Sequence, residues 1–454
     1  MKTGQLEELI ARTDLFDPMW YQRTYPDVVS SGLSPINHFL KFGLALARDP
    51  GPRFSTIFYQ HAYDPDVLGK THPFIFHLQN PEVNLEKDLV LRAATYVLLQ
   101  DNPARALQLA RKYLPAHLVE TIAALQANVA CLTGDMWAWQ TAVNRYLQRH
   151  DLAPLANRAG PTLLSQLWCG PLPKVTDGPL VSVIMPVWNA QATVAIAIRS
   201  ILEQTWQSLE LIVVDDASTD GSWQILKDLA AQDPRVRLRR NTVNAGPYVS
   251  KNLGLQLAKG AYITGHDADD WAHPERLATH MKFVQTSPRA LPVSMPYGLR
   301  MQPDGLFSHI RRAGVATSFD GWMQSVPIGT LFEASFLSNK LGYWDTVRFG
   351  ADTEILLRAR HLLGSGPLEI PLMTMFCLDV PDSLSNDMQH GTRVNNTGLS
   401  PTRRAYLSSV REWLYAQDMD ASLYLDFPQH KARYWVPEQM RVSKAVVMDN
   451  LKSR

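Results

Sequence analysis

The chain has 454 residues, of which 46% are hydrophobic and 19% are charged, and its formal net charge is +1. This length is more than one ordinary hydrophobic core needs, so two or three domains are expected. A near-neutral chain has no overall attraction for nucleic acid or anionic lipid, and no nucleic-acid partner is expected. The cysteines, Cys131, Cys169 and Cys377, are scattered and odd in number. That pattern argues against a disulfide framework or a zinc site and is typical of a reducing compartment.

The opening stretch, MKTGQLEELIARTDLFDP, is polar and lacks the apolar segment of a signal peptide. No run of about 18 apolar residues occurs, so no membrane-spanning helix is expected. These patterns predict a cytoplasmic protein. Peripheral contact with the inner face of a membrane stays open.

Residues 1–85 contain one aromatic motif twice. FDPMWYQRTYPDV begins at Phe16 and FSTIFYQHAYDPDV begins at Phe54, so that Tyr21 and Tyr59 are 38 residues apart. Such a repeat predicts two copies of a small helical unit. We expect the aromatic side chains to form a core, and a surface on which sugars stack is the alternative.

Residues 86–170 show the spacing of amphipathic helices. ATYVLLQDNPARALQLARKYL and ANVACLTGDMWAWQTAVNRYL align with an offset of 33, with turns at Asp101-Asn102 and Gly134-Asp135. The pattern resembles tetratricopeptide-type helical hairpins, and other bundles of helical hairpins also fit it. A linker rich in proline and glycine, CGPLPKVTDGPL, ends this region near residue 179.

From residue 179 to residue 380, apolar runs alternate with helical patterns. The runs that suit buried strands are LVSVIMPVW (180–188), LELIVVDDAS (209–218), RVRLRRN (235–241) and AYITGHDADD (261–270). Strands that alternate with helices at short spacing predict an α/β domain with a mainly parallel sheet.

Polar and aromatic side chains follow three of these strands. They are Pro186, Trp188 and Asn189 after the first, Asp215 and Asp216 after the second, and Asp267, Asp269 and Asp270 after the fourth. In such sheets ligands bind beyond the carboxyl ends of the strands. Crowded carboxylates repel one another and need a cation. Hard oxygen ligands suit Mg²⁺ or Mn²⁺, which usually also takes oxygens from a substrate diphosphate.

Four ordered motifs carry a family resemblance: VSVIMPVWNA, ELIVVDDASTDGS, NAGPYVSKNLGLQLAKGAYI and HDADDW. They resemble the successive motifs of the family 2 inverting glycosyltransferases, which have the GT-A fold and transfer a sugar from a nucleotide diphosphate donor to an acceptor hydroxyl. The resemblance covers roughly residues 179–365. It implies a GT-A catalytic domain over 179–380, preceded by all-α repeats and followed by loops and helices over 381–454.

The resemblance also assigns the donor site. Pro186, Trp188 and Asp215 would line the pocket for the base and ribose, with Asp215 accepting a hydrogen bond from a ring N–H of the base. Asp267 would lie near the ribose or the metal, and Asp269 would be the principal ligand of Mn²⁺ or Mg²⁺.

Two further polar residues are assigned to the nucleotide-sugar site. Asn189 follows the first strand directly. Lys251 stands where the family often has arginine before Asn-x-Gly; it would approach the diphosphate, and a solvated helix face is the alternative. Asn252 is expected to tie this helix to the sheet.

An inverting transfer needs a base that takes the proton of the acceptor hydroxyl. GYWDTVRFGADTEILLR (342–358) resembles the acceptor-side segment of the family, in which the acidic pair is often Glu-Asp and is here Ala351-Asp352. We therefore assign Asp352 as the general base; taken alone, it would be a helix N-cap. Glu354 is expected to point elsewhere, and Arg358 to make a structural salt bridge.

The remaining polar residues have less specific roles. Asp216 and Asp220 are expected to be turn residues, and Asp270 to cap the helix near HPERL. His390 would join the metal or diphosphate or stay solvated. Arg403 and Arg404 would meet phosphates or a membrane surface.

The N-terminal repeats resemble modules found beside glycosyltransferase domains in bacterial surface-polysaccharide proteins. They imply a role in such assembly, with a glycan or lipid-linked glycan acceptor and with membrane or assembly partners bound through the N-terminal helices. The resemblance to the family 2 enzymes implies a UDP-sugar donor, because UDP is the commonest nucleotide in that family. The alternative is a non-catalytic helical scaffold with a degenerate transferase domain, against which the retained Asp267, Asp269 and Asp352 count.

Two other enzyme classes lack their motifs here. A phosphatase would need a threonine or valine soon after its Asp-x-Asp, and a nucleotidyltransferase would need a glycine-rich loop after the first strand. Neither DADDWAHP nor PVWNAQAT supplies these.

Overall fold

The structure is a computed structural model that describes residues 3–83, 85, 87–99, 102–114, 122–289, 291–308, 323–381, 383–387, 389–392, 399–418 and 421–452. The chain divides into two compact units, one that is mainly Met1–Ala142 and one built from Val143–Ser308 and Gly314–Arg454. The boundaries at 85, 170 and 380 that the sequence suggests remain predictions.

The first unit contains helices and no strand among its described residues. Its helices are α1 Thr3–Ala11, α2 Pro18–Thr24, α3 Asp27–Ser30, α4 Pro35–His38, α5 Thr56–Ala62, α6 Pro65–Leu68, α7 Pro73–Gln79, α8 Lys87–Leu98, α9 Pro103–Tyr113, α10 Ala123–Leu132 and the first part of α11, Met136–Arg149. Several of these helices begin at an ordinary N-cap residue. Asp17 and Asn102 each accept a hydrogen bond from the third following backbone N–H, with proline at the first helical position.

The aromatic repeat of the first unit forms a core, as the sequence predicts. Tyr21 and Tyr59 are 0% and 3% exposed, and the rings of Phe54 and Tyr59 stack with their centroids 4.3 Å apart. In the first copy the Tyr21 hydroxyl lies 3.2 Å from His38 Nδ1. Buried rings offer no open face to a sugar, so the stacking alternative does not hold for these two tyrosines.

The described part of residues 86–150 is helical, and its division into hairpin repeats stays a prediction. α8 packs against α9, and α9 against α10. Gly134 has a φ of 76° and turns the chain between α10 and α11, which favours glycine at this position. Asp101 and residues 115–121 lie outside the described residues.

The second unit is built around a mixed sheet. The strands of this unit are β1 Ala156–Asn157, β2 Leu167–Trp168, β3 Val181–Val187, β4 Leu209–Asp215, β5 Val236–Arg240, β6 Tyr262–Gly265, β7 Trp271–Ala272, β8 Val293–Met301, β9 Gln324–Ser325, β10 Leu331–Glu333 and β11 Leu368–Leu378. In the main sheet the order is β5-β4-β3-β6-β10-β8-β11-β7, with β9 paired to β8. The four strands at one side of this order, β5, β4, β3 and β6, are mutually parallel. Strand β11 runs parallel to β8, and β10 and β7 run antiparallel to their neighbours. The predicted α/β class is confirmed.

The helices of the second unit lie between and after these strands. They are the rest of α11, α12 Leu163–Gln166, α13 Val194–Leu202, α14 Ser222–Gln232, α15 Pro247–Leu257, α16 Arg276–Thr286, α17 Ala334–Phe336, α18 Ala351–Leu363, α19 Pro401–Tyr415 and α20 Lys444–Lys452. No helix in the described ranges is both long and apolar enough to cross a membrane.

The apolar runs of β3 and β4 are buried at every position, which places the parallel half of the sheet in the core. Helix α15 lies close to this sheet at Gly254, where a Cβ atom would come within 2.6 Å of Ile184 Cγ2. Glycine therefore permits the close approach that positions the residues of α15 over β3.

Helix α20 is bonded back to the end of β5. Asn450 is fully buried, and its side-chain oxygen accepts from the backbone N–H groups of Thr242 and Val243 at 2.8 and 3.1 Å. Its amide donates to the Val243 carbonyl at 2.8 Å. A segment more than 200 residues further along the chain thus holds the loop that leads into α15.

Candidate active site

The loops after β3 and β4 are tied to each other. Asn189 has a φ of 47° and turns the chain directly after β3. Its backbone N–H donates to Ser218 Oγ at 3.0 Å, and its side-chain oxygen accepts from the Thr219 N–H at 2.8 Å. The side chain that was assigned to the nucleotide-sugar site thus joins the two loops, and its contact with a ligand stays a prediction.

Asp215 is a fully buried carboxylate at the end of β4. Its Oδ2 pairs with Arg240 Nε at 2.9 Å and accepts from the Ser218 N–H at 3.3 Å. Its Oδ1 has no hydrogen-bond partner among the described residues. A buried polar atom without a partner is costly, so a donor supplied by a ligand would be favoured here.

The other residues assigned to the base pocket lie on the neighbouring strand. Pro186 is the register partner of Val214, one residue before Asp215. Trp188 follows β3 with 58% of its surface exposed. A large exposed indole beside a buried carboxylate provides a ring for stacking and a hydrogen-bond acceptor at one edge of the sheet.

Three carboxylates meet in the segment after β6. One oxygen from each of Asp267, Asp269 and Asp270 lies within 4.8 Å of the others. Burial raises the pKa of Asp267 to about 7; nearby Lys251 opposes this shift, and Asp269 adds to it. Burial likewise raises the pKa values of Asp269 and Asp270. Three such groups are difficult to ionise together without a cation.

Asp270 does not cap the following helix, so that expectation is wrong. Its Oδ1 accepts from the Leu378 N–H at 3.0 Å, whereas α16 begins at Arg276 with Glu275 at its N-cap. The short strand β7 intervenes and pairs with β11, which brings Leu378 to Asp270. One oxygen of Asp270 is therefore already bonded to the protein, and Asp267 and Asp269 keep more of their ligand capacity.

Asp352 and Lys251 form an ion pair. Lys251 Nζ lies 2.8 Å from Asp352 Oδ1 and 2.9 Å from Oδ2. The lysine side chain is 3% exposed, which excludes the alternative of a solvated helix face. The N-cap of α18 is Gly350, so Asp352 is not a capping residue. Lys251 and Asp352 are also close enough to Asp267 to influence its pKa.

Two aromatic side chains complete the surroundings of Asp352. The Trp344 indole N–H donates to Oδ1 at 3.1 Å, and the Tyr248 hydroxyl donates to Oδ2 at 3.2 Å. Asn252 bonds to both backbone groups of Trp344, at 2.9 and 3.0 Å. The expectation that Asn252 ties its helix to the sheet is therefore wrong, because the residue fixes the loop that carries Trp344.

Residues 182–328 match the model of the family described as Glycosyl transferase family 2. The chain contains a glycosyl transferase family 2 domain. The match includes the ends of β3, β4 and β6, and therefore Trp188, Asp215, Asp267 and Asp269. Asp352 lies outside the matched residues.

Curated relatives match the same part of the chain. A glycosyltransferase of Haemophilus influenzae (strain ATCC 51907 / DSM 11121 / KW20 / Rd) is 42% identical over 106 residues, which are 23% of this chain and 42% of that protein. WcaA of Escherichia coli (strain K12), named for colanic acid biosynthesis, is 40% identical over 111 residues, 24% of this chain and 39% of its own length. WfaP of Escherichia coli, named as a UDP-Glc:alpha-D-GlcNAc-diphosphoundecaprenol beta-1,3-glucosyltransferase, is 33% identical over 107 residues, 24% of this chain and 42% of its own length. The chain thus spans about two fifths of the length of each relative.

Two solved structures are similar at lower levels. TarS 1-349 of S. aureus in complex with UDP-GlcNAc is 17% identical, with a TM-score of 0.37 and coverage of 45% of this chain and 60% of that chain. The mannosyltransferase PcManGT from Pyrobaculum calidifontis, in complex with GDP-Man and Mn2+, is 19% identical, with a TM-score of 0.35 and coverage of 65% and 82%.

Asp220 makes the expected turn contact, and the expected salt bridge of Arg358 is confirmed. Asp216 is structural as expected, but it bonds to a distant loop and not within a turn. Asp216 accepts from the N–H groups of Ala245 and Gly246, and Asp220 accepts from that of Gln191. The fully buried Arg358 pairs with Glu354, with Nε and Oε1 2.6 Å apart. Both sets of contacts are structural.

His390 and Arg403 both contact the ring of Phe349. The His390 ring stacks on Phe349 with centroids 4.9 Å apart, and the Arg403 guanidinium lies 4.8 Å from the Phe349 centroid. Arg403 Nε donates to the His390 carbonyl oxygen. Burial lowers the pKa of Arg403, and the charges of Tyr248 and Asp352 oppose that shift. Arg403 therefore lies near Asp352, and roles for either residue with a ligand remain predictions.

Sequence reasoning missed Arg240 and Arg300. Arg240 ends β5 beside Asp215, and parallel pairing of β4 with β5 places the two residues in register. Arg300 on β8 pairs with Asp379 at 3.0 Å, and its charge lowers the pKa values of Asp267 and Asp270 against the effect of burial. The first contact could be inferred from strand order, whereas nothing in the local sequence indicates the second.

Proposed function

We propose that the chain is a metal-dependent inverting glycosyltransferase that moves a sugar from a UDP-sugar to an acceptor hydroxyl. The observation that carries this proposal is the proximity of two charged centres. The acidic cluster after β6 and the Lys251–Asp352 pair are close enough for Asp352 to raise the pKa of Asp267. A donor diphosphate at the first centre and an acceptor at the second would meet between them.

The nucleotide would lie beyond the ends of β3 and β4. Trp188 would stack on the base, Pro186 would shape the pocket, and the unpartnered Asp215 Oδ1 would accept from a ring N–H. Uracil presents such an N–H group beside its carbonyl oxygens. The donor named for the relative WfaP, UDP-Glc, supports the choice of a uridine nucleotide.

The acidic cluster fits a hard divalent cation. Carboxylate oxygens at 4.8 Å or less are donors of the kind that Mg²⁺ and Mn²⁺ take. Asp269 and Asp267 would hold the ion, with Asp270 beside them. When bound, a divalent ion neutralises charge on the leaving diphosphate.

Asp352 would act on the acceptor side. In an inverting transfer the acceptor oxygen forms a bond to the anomeric carbon as the bond from that carbon to the diphosphate oxygen breaks. The electron pair leaves with the nucleotide diphosphate, and the hydroxyl proton passes to Asp352. Lys251 would keep the carboxylate in place and add positive charge near the donor phosphates.

The biological setting follows from the relatives. WcaA is named for colanic acid biosynthesis and WfaP for transfer to a diphosphoundecaprenol-linked sugar. We infer a role in bacterial surface polysaccharide assembly, with a glycan or lipid-linked glycan as acceptor, at the cytoplasmic face of the membrane. The N-terminal helices would contact assembly partners or the membrane there.

The test is a donor panel on the full chain. UDP-, GDP- and dTDP-sugars are incubated with Mn²⁺, Mg²⁺ or EDTA, and release of the nucleoside diphosphate is measured. UDP-sugar turnover that requires the metal is expected. Asp269→Ala should abolish it, whereas Asp228→Ala, which removes an exposed carboxylate on α14, should not. Absence of both turnover and metal-dependent UDP binding, in a protein that melts cooperatively, would support the scaffold alternative.

A further inference from the structure

The Asp352 carboxylate accepts four hydrogen-bond contacts from three described side chains. Lys251 Nζ is nearly equidistant from its two oxygens, Trp344 Nε1 donates to Oδ1, and the Tyr248 hydroxyl donates to Oδ2. An ionised carboxylate offers about four lone-pair sites, two on each oxygen. These contacts occupy all four. An acceptor hydroxyl can therefore reach Asp352 only if one donor leaves.

Lys251 and Trp344 are held in place. Lys251 is charged, 3% exposed and bonded to both oxygens at 2.8 and 2.9 Å. Charge-assisted hydrogen bonds of this kind are roughly twice as strong as neutral ones. Trp344 is 6% exposed, and both of its backbone groups are bonded to Asn252. Withdrawal of either donor would require movement of packed atoms.

Tyr248 differs from these two donors. Its contact with Asp352 is the longest of the four, at 3.2 Å, and the Asp352 side chain keeps 19% of its surface exposed. The phenolic hydrogen can rotate away while the ring stays packed. The Tyr248 oxygen also accepts from the Gly350 N–H at 3.2 Å, so the oxygen keeps a partner when its hydrogen turns.

We propose that the Tyr248 hydroxyl closes Asp352 Oδ2 until an acceptor hydroxyl takes its place. This inference rests on the proposed function, in which Asp352 is the general base. Tyr248 is then a positioning residue that makes the base available to the acceptor and withholds it from water. The charged groups that face Asp352 from neighbouring elements are Lys251, Arg403 and Asp267. Among the described hydrogen bonds of Asp352, Tyr248 is the one donor with a neutral oxygen.

The chemical consequence is suppression of donor hydrolysis. In hydrolysis, the oxygen of water bonds to the anomeric carbon, the bond to the diphosphate oxygen breaks with its electron pair, and one proton of water goes to Asp352. The products are free sugar and nucleoside diphosphate. A carboxylate already bonded to Tyr248 gives water no site at Oδ2, so a bound donor waits for its acceptor.

The test measures donor hydrolysis without acceptor in Tyr248→Phe. The full chain is incubated with Mn²⁺ and UDP-glucose, or with another UDP-sugar of the donor panel that the wild type hydrolyses. Hydrolysis should rise about fivefold, the factor that one ordinary hydrogen bond contributes. Tyr406→Phe is the matched control, because that buried hydroxyl also donates to a carboxylate, Asp345 Oδ2, at 2.7 Å. The control should hydrolyse the donor at the wild-type rate.

A second variant and a second background keep the outcomes separate. Tyr248→Leu should raise hydrolysis in the same direction if Tyr248→Phe fails to melt cooperatively. In an Asp352→Asn background the Tyr248→Phe effect should vanish. Unchanged hydrolysis in both folded Tyr248 variants, with Asp352→Asn still inactive, would overturn this proposal and leave the proposed function standing. Full activity of Asp352→Asn would instead remove the base on which both depend.

Discussion

Lys251 and Asp352 are 101 residues apart in the chain, and their charged groups meet with Nζ 2.8 Å from Oδ1. The contact joins helix α15, which follows β5, to the first turn of α18. Because Lys251 is buried, this pair is screened less by solvent than a surface ion pair. It therefore links the residues assigned to the donor with the residue assigned to the acceptor.

Replacement of this lysine should affect turnover more than donor binding. In Lys251→Met the Asp352 carboxylate loses its only ionic partner among its described hydrogen bonds, so we expect kcat to fall about 10- to 100-fold, the range for one charge-assisted hydrogen bond. Steady-state kinetics with a UDP-sugar would separate kcat from KM. Lys227→Met, at an exposed position on α14, is the control. A rise in donor KM with kcat unchanged would mean that Lys251 contacts only the diphosphate.

Asp352→Asn keeps the shape of the side chain and removes the proton acceptor. Sugar transfer should fall about 10²–10⁴-fold, the usual contribution of general base catalysis. Binding of UDP, followed by calorimetry, should be retained because its contacts come from the ends of β3 and β4. The wild-type product should have the anomeric configuration opposite to that of the donor, which NMR of the product reports. Retention of configuration would contradict the mechanism.

Removal of the base-pocket carboxylate should weaken nucleotide binding. Asp215→Ala deletes the unpartnered Oδ1, and we expect the Kd for UDP to rise about 10- to 100-fold, as for loss of a hydrogen bond to a charged group. Inorganic pyrophosphate with Mn²⁺ is the internal control, because it lacks a base and its affinity should not change. Equal loss for both ligands would show that the variant disturbs the whole site.

The buried His280 should make stability depend on pH. Burial lowers the pKa of His280 well below its ordinary value, and Arg276 adds to this shift. The folded protein therefore keeps this imidazole neutral, while the unfolded chain binds a proton below about pH 6.5. The contribution of His280 to the unfolding free energy is therefore full above that pH and is lost as the pH falls. The difference in unfolding free energy between wild type and His280→Gln should shrink by about 1.4 kcal/mol per pH unit below 6.5.

Denaturant unfolding at pH 7.5, 6.5 and 5.5 would measure this slope. The matched control is His430→Gln, since His430 is exposed and its replacement should not alter the slope. Burial raises the pKa values of Asp267 and Asp270, so proton binding to these carboxylates favours the folded protein as the pH falls. This effect on stability opposes that of His280 and is present in both wild type and variant. Only the difference between variants therefore isolates His280. An unchanged slope in His280→Gln would contradict the prediction.

The strands and the positions of the acids at their ends were predictable because their signals are local. The continuous apolar runs predicted β3 and β4, and the residues that follow them, such as Asp215, lie at the strand ends. The aromatic repeat predicted the buried Tyr21 and Tyr59 in the same way. The strands and their terminal acids needed only the alternation of elements and the rule that ligands bind beyond the carboxyl ends of parallel strands, and the tyrosines needed only the repeat.

Contacts between distant segments were not predictable from local pattern. The bond of Asp270 to Leu378 depends on the pairing of β7 with β11, and the bonds of Asn252 to Trp344 depend on how α15 packs. Tyr248 did carry a signal. It lies three residues before Lys251, a spacing that places both side chains on one face of a helix.

The bonds of Asn450 to the loop after β5 have a consequence for synthesis of the protein on the ribosome. Residues 1–142 make up nearly all of the first unit, so most of its contacts are available once that stretch has emerged. The loop that leads into Tyr248 and Lys251 lacks its partner until Asn450 has been made, more than 200 residues later. Since domains generally fold as units during translation, the first unit should be folded while the second unit is still incomplete. A nascent chain stalled before residue 444 should then resist protease in its first 142 residues and be cleaved within the second unit.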